Sequence, residues 1–271
     1  MKEKMIRIME KLHYYNSENM ACQAFGLAKD VVYDALVVAP SFSPYKLKLD
    51  TYCKVTTLKE GAYIAGYLVE KDDLKIAWVK IGSSDANVID HIAICAELTF
   101  QKMIFIGAVG ALKESFELGD ICTPSYSIAS GYANTYLKDS IKDFVPFEKV
   151  IPDMSFIDRV IRLGKEKGYE IKKSSVFCTA SIALEYLHLE EIKAFGTDLI
   201  EMETSSFYLM ADLLEVPSVA LLVVSDNSAT GAALVGRTEE QQKKYDNGRN
   251  VILADMILSV AKLTNEVITG C

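Results

Sequence analysis

Residues 198–227, DLIEMETSSFYLMADLLEVPSVALLVVSDN, decide how this chain is read. An acidic turn opens an amphipathic helix, Pro217 marks a short turn, and a continuous apolar strand follows, ending at a lone carboxylate, Asp226. Open parallel sheets bind ligands at the carboxyl ends of their strands, which is where this pattern puts Asp226. Glu201 and Glu203 stand at the start of the preceding helix. Three acids gathered beside an apolar sheet suit a site that protonates a leaving group and holds hydroxyls. Two residues apart on a helix, Glu201 and Glu203 would face different sides, one into the site and one toward solvent or a neighbour.

Working outward, the 271 residues suit one large α/β domain, and half of them are hydrophobic, enough for a sizeable core. A net charge of −8 with no basic patch argues against a nucleic-acid partner. Apolar runs such as VPSVALLVV are too short to span a bilayer. The charged start MKEKMIRIMEKLHYY lacks an apolar signal core, so a cytoplasmic protein is expected. The six cysteines (Cys22, Cys53, Cys95, Cys122, Cys178, Cys271) form no C-x-x-C pair and read as reduced thiols. Of the three histidines, His13, His91 and His188, none lies at metal-ligand spacing to a cysteine, and His91 reads as a surface or interface residue. Neither a metal nor a cofactor is expected.

Strands and helices alternate along the chain. Helical spacing covers 2–13, 84–99, 155–168 and 238–265; strands are expected at 35–39, 74–81, 102–107, 121–125 and 174–180. Residues 52–58 and 62–69 read as an antiparallel pair around Glu60-Gly61. The expected architecture is one α/β domain with a central mixed sheet and helices on both faces. A second motif, FIGAVGALKESFELGDICTPS at 105–125, runs a buried strand into Gly107 and Gly110, followed by the Gly119-Asp120 turn. Glycines after a strand let backbone N–H groups approach an anion or a sugar closely.

These segments, with LKIAWVKIGSSDANVIDHIAICAEL (74–98) and FGLAKDVVYDALVVAP (25–40) before them, resemble the nucleoside phosphorylase superfamily in the order of its motifs. The resemblance implies a sheet curled into a distorted barrel over 25–271, preceded by a helical extension at 1–24. It implies an enzyme that cleaves the N-glycosidic bond of a nucleoside, with phosphate as co-substrate in phosphorylases and water in nucleosidases. Asp226 matches the acid that protonates the departing base in the purine-handling branch, and purine is favoured because the uridine branch lacks an acid there. Such an acid contributes about 10²–10⁴ in rate. Glu203 matches the glutamate that accepts from the ribose hydroxyls, and Met202 the methionine against the sugar. Gly107, Ala108 and Gly110 match the strand-end turn, and Thr179 and Ser181 fall in the base-gripping segment FCTASIALEYL, where the family's aromatic is replaced and Tyr186 stands further on. Arg237 and Arg249 are both candidates for the arginine that supports Asp226, and the loop NSATGAALVGRTEEQQ between resembles a lid.

The phosphate site departs from the family. PSFSPYK (40–46) stands where phosphorylases carry an arginine loop; Phe105 replaces a second arginine and Ala108 a hydroxyl. Loss of two arginines costs about 3–6 kcal/mol of phosphate binding, or roughly 10²–10⁴ in affinity. Lys46 or Lys48 is the available substitute, with Ser41, Ser43, Ser83 and Ser84 as neutral donors. Phosphorolysis at a rebuilt site is therefore the first expectation, a phosphate-independent nucleosidase the second, and a non-catalytic nucleoside or base binder the third. The family assembles as dimers, often three per hexamer, so a homo-oligomer is implied, although Ala24 stands where a neighbour's histidine is expected.

Overall fold

The computed structural model describes residues 1–16 and 18–264. Its helices are α1 (Glu3–Tyr15), α2 (Met20–Phe25), α3 (Asp85–Cys95), α4 (Met154–Glu166), α5 (Leu189–Ala194), α6 (Thr204–Leu214), α7 (Glu239–Asn247) and α8 (Ala254–Lys262). Its strands are β1 (Val32–Tyr33), β2 (Ala35–Ala39), β3 (Lys54–Lys59), β4 (Ala65–Lys71), β5 (Leu74–Lys80), β6 (Thr99–Phe100), β7 (Met103–Ala111), β8 (Ile121–Ala129), β9 (Glu148–Val150), β10 (Ile171–Cys178), β11 (Leu199–Glu201) and β12 (Ser218–Asn227). One ten-stranded sheet carries the fold in the order β11-β10-β8-β12-β7-β2-β5-β4-β3, with β9 beside β8.

That sheet curls. β11 pairs antiparallel with β7, setting Leu199 opposite Ala111 and Ile200 opposite Gly110. The five strands β7, β12, β8, β10 and β11 thereby close into a mixed barrel, as the family resemblance implies. Strands buried on both faces need apolar side chains at successive positions rather than alternating ones. β2 is buried throughout, and every residue of β12 but Asp226 is buried. β3, β4 and β5 continue the sheet beyond β2 as an antiparallel meander. α4 packs on β12 and β10, and α6 on β8, covering the barrel from outside. Among the described residues no helix is long and apolar enough to cross a membrane.

Several boundaries differ from the sequence expectations. The strand predicted at 102–107 continues to Ala111, so Gly107 and Gly110 lie inside it rather than after it. Both of β7's neighbours continue alongside and supply partners there, because β12 and β11 bracket Gly110. The helix predicted at 84–99 ends at Cys95, because Thr99–Phe100 leaves to pair in parallel with β1. His91 is buried rather than exposed: its Nδ1 lies 2.7 Å from the Asn87 carbonyl and its ring meets the edge of Phe25. Cys22, Cys53, Cys95, Cys122 and Cys178 are free thiols, and Cys271 lies outside the described residues.

The helix predicted at 238–265 starts on a Thr238–Gln241 capping box, but its middle, Gly248–Leu253, is a π-helical turn joining α7 to α8; residue 265 lies outside the described residues. The widened turn falls where the chain presses on the Gly119 backbone. A Cβ on Gly248 would stand 2.1 Å from the Gly119 carbonyl oxygen. π turns of this kind commonly mark functional regions, and this one carries Arg249. Gly248→Ala is expected to lower stability by about 2–3 kcal/mol through overpacking, read as a lower urea midpoint at unchanged m-value.

Candidate active site

The barrel brings the ends of β7, β11 and β12 to one rim, and Gly110 is the hinge of that arrangement. It pairs with Asp226 on one side and Ile200 on the other. A Cβ here would stand 3.0 Å from Asp226 Oδ2 and 3.0 Å from Ile200 Cγ2. Glycine leaves room for the acid to fold down over this backbone; any larger residue would push Asp226 or Ile200 aside. Beside it the β12–β7 register slips between Val224 and Asp226, a bulge that leaves Ser225 unpaired in the ladder. Bulges re-aim side chains near active sites. Arg237 holds this one, donating from Nε (3.1 Å) and Nη2 (2.7 Å) to the Ser225 carbonyl. Ser225 Oγ donates to Asp226 Oδ1 at 2.6 Å. Burial pushes the Asp226 carboxyl above its ordinary range, while the Ser225 hydroxyl and the Arg237 charge pull the other way.

The E-M-E segment is not helical. Glu201 ends β11 and Glu203 is the residue before α6, so both side chains turn inward and both are buried. Neither faces solvent as helical geometry would require. Glu201 is fully engaged. It accepts from the backbone N–H of Glu203 (2.7 Å) and Thr204 (3.0 Å), from Thr204 Oγ1 (2.8 Å) and from Cys178 Sγ (2.9 Å). Two of these donors are the amides of the N-cap and first residue of α6, a helix start that a carboxylate stabilises. Glu203 is the opposite case, since its Oε1 is buried with no hydrogen-bond partner. Burial and the neighbouring Glu201 charge both push its carboxyl well upward. Burial raises the Glu201 carboxyl too, but its donors pull against that, so of this pair Glu203 holds its proton the more firmly.

These groups line one small cleft of about 150 Å³, open to solvent. Pro40, Ser41 and Ser83 form one wall; Gly107, Ala108 and Gly110 lie along β7; Thr179, Ile182, Glu185 and Tyr186 face them, with Met202 and Leu234 completing the lining. The site thus gathers Asp226, Glu201, Met202, Glu203, Gly107, Ala108, Gly110 and Thr179 from the sequence candidates. It does not gather the rest. Ser181 is spent on its own turn, its Oγ accepting from the Leu184 amide. Arg249 pairs with Asp246 at 2.8 Å and lies over the Tyr245 ring, outside the lining. The contact with the Asp226 bulge belongs to Arg237. Lys46 lies over the Phe42 ring and does not line the cleft; burial, then Arg249 and Lys80, depress its pKa.

One lining acid went unread. Glu185 begins a short 3-10 turn, Glu185–His188, and lines the same cleft as Asp226. Burial and then the Asp226 charge raise its carboxyl to about 7, against the pull of the Thr179 hydroxyl. The sequence signal was an acid set between Leu184 and Tyr186 in the segment read only for its missing aromatic.

A family model described as the phosphorylase superfamily matches residues 37–254, and the chain belongs to that family. Similar sequences include the DeoD-type purine nucleoside phosphorylases of Anoxybacillus flavithermus and Geobacillus stearothermophilus, each 26% identical over 157 residues, or 58% of this chain. The match spans 64% of the length of those curated relatives. Among solved structures, the fold is shared with a Campylobacter jejuni 5′-methylthioadenosine/S-adenosyl homocysteine nucleosidase (TM-score 0.66, 19% identity, 84% of this chain and 99% of that one). It is shared also with an AMP nucleosidase from Bacteroides thetaiotaomicron (0.63, 18%, covering 93% and 98%) and a uridine phosphorylase from Vibrio fischeri (0.69, 13%, covering 86% and 93%).

The unequal glutamates give a stability test. Glu201→Ala strands buried donors and is expected to cost about 2–4 kcal/mol. Glu203 has a folded pKa above its unfolded value, so the folded state binds the extra proton and ionisation opposes folding as pH rises. Glu203→Gln removes that penalty and should leave stability at pH 7 equal or higher. Urea denaturation of both variants at pH 7 reads the difference, and equal losses would contradict the assignment.

Proposed function

We propose that this chain cleaves the N-glycosidic bond of a nucleoside, purine favoured, by handing a proton to the departing base. The observation that carries the reading is a single cleft holding Asp226, its carboxyl pushed upward by burial, and a buried, unbonded Glu203 oxygen beside Met202. Breaking a sugar–base bond leaves positive charge on the sugar and negative charge on the base. Asp226 neutralises the second by donating its proton to a base nitrogen. Glu203 accepts from the sugar hydroxyls, which replace the partner its oxygen lacks, and Glu201 stays fixed as the support of α6. Arg237 positions Asp226 through the Ser225 carbonyl. The purine preference rests on the acid at 226 and agrees with the names of the purine-handling relatives.

Charge bears on the acceptor. The lining holds Glu185, Glu201, Glu203 and Asp226 and no lysine or arginine. A phosphate dianion finds no cation on such walls, so water is the acceptor the geometry supports best, reversing the order expected from the resemblance. One observation favours phosphate as a second reading. Lys46 is half-buried near Lys80 and Arg249, and among the described residues no ion pair neutralises it. Assembly as a homo-oligomer is supported by exposed apolar side chains on one segment, Tyr136, Ile141, Val145 and Phe147. We retain 1–24 as an extension of the domain at 25–271, with α1 laid on α3 and α6.

Chromatography of a nucleoside panel incubated with and without phosphate tests the reaction and the acceptor together. Free base and free pentose are expected at a rate indifferent to phosphate; a strict phosphate requirement selects the second reading. Asp226→Asn is expected to lower kcat/KM on purine nucleosides by about 10²–10⁴, and full activity in that variant would remove Asp226 from the chemistry.

A further inference from the structure

The base end of the cleft holds two acids where one is enough to protonate a leaving group. Asp226 comes from the end of β12, and Glu185 from the 3-10 turn that follows β10. Both line the same cleft, with apolar Ile182, Tyr186 and Leu234 beside them. The groups facing Glu185 are the Asp226 carboxyl, the Thr179 hydroxyl and, on its own turn, the Tyr186 phenol. The nearby cation, Arg237, faces Asp226 and spends its N–H groups on the Ser225 carbonyl. Among the described residues Glu185 forms no ion pair, and no cation contributes to its electrostatic surroundings. Two carboxyls close together in a partly dehydrated site, without a cation between them, do not both ionise, and they titrate as a pair that keeps one proton.

We propose that Glu185 is the second member of a proton-sharing carboxyl pair with Asp226, resupplying the hydrogen that Asp226 gives to the departing base. This rests on the reaction read above. As the sugar–base bond breaks, its electron pair leaves with the base, and the Asp226 O–H proton moves onto a base nitrogen. Asp226 is left as a carboxylate. Glu185, being half-exposed, then draws a proton from solvent and passes it to Asp226, so that the pair regains its one proton. Whether the acceptor is water or phosphate does not enter this cycle. Glu185 acts through Asp226 and is a positioning residue for the proton rather than a group on the base.

Two measurements on the full chain test it. The first needs no turnover. In protein carrying ¹³C-labelled glutamate carboxyls, the resonance absent from Glu185→Gln should titrate near pH 7 in the wild type, as its raised carboxyl implies. In Asp226→Asn it should move down by about one unit, as loss of a neighbouring like charge requires. A midpoint unmoved in Asp226→Asn overturns the pairing. The second is the pH profile of kcat/KM on a cleaved nucleoside. Glu185→Gln removes the charge that holds the proton on Asp226, so the alkaline limb should shift about one pH unit toward acid, a roughly tenfold loss on that side. At low pH the rate should stay within about twofold, and Glu185→Asp should restore the profile. An unmoved profile, or a uniform fall at every pH, overturns the proposal while leaving the reaction reading intact. A wild type that cleaves no nucleoside overturns the reaction reading, and the proposal with it.

Discussion

The short antiparallel contact between β11 and β7 is the constraint on which the rest depends. Without Leu199 opposite Ala111 and Ile200 opposite Gly110, the sheet would remain open and the E-M-E segment would stand away from the end of β12. With it, an acid from β12, the acid that ends β11 and the acid before α6 meet within one cleft. Closure also explains the smallest side chain in the region. Gly110 is bracketed by strands on both sides, and a methyl group there would meet the Asp226 carboxyl or the Ile200 side chain. The demand is steric, because the carboxylate is packed onto the strand.

Electrostatics then divides the acids by task. Glu201 is surrounded by donors that offset part of the burial raising its carboxyl, which is the way buried charges are tolerated. Glu203, Glu185 and Asp226 lack such a shell and are pushed toward their neutral forms. A cleft built mainly of reluctant carboxyls suits proton delivery and hydroxyl binding, and it is poorly suited to an anion. The cations nearest to this region are set outside its walls, Arg237 bracing the bulge and Lys46 beside Arg249.

Much of this was legible in the residues. Continuous apolar runs marked β2 and β12, and the acids at 201, 203 and 226 marked the ends of elements that meet. What escaped reading was set by long-range contact. Nothing in the letters around Ser225 announces a bulge, because its cause is register against β7 and the pull of Arg237 from twelve residues away. The choice between Arg237 and Arg249 turned on the π turn, which arises where Gly248 presses on Gly119. Helical spacing separated Glu201 from Glu203, yet the chain there is a strand end and a cap, so both turn inward. The letters around Glu185 do not by themselves mark it as a site acid, because its turn reaches the cleft only through the fold.

The full hydrogen-bond complement of Glu201 has an evolutionary consequence. Its oxygens secure the first amides of α6 and a thiol on β10, so drift at position 201 loosens a helix and a strand at once. Position 203 bears no such architectural duty. A lineage descending from this chain can therefore explore new sugars by changing residue 203, while residue 201 is held by foldability whatever the ligand becomes.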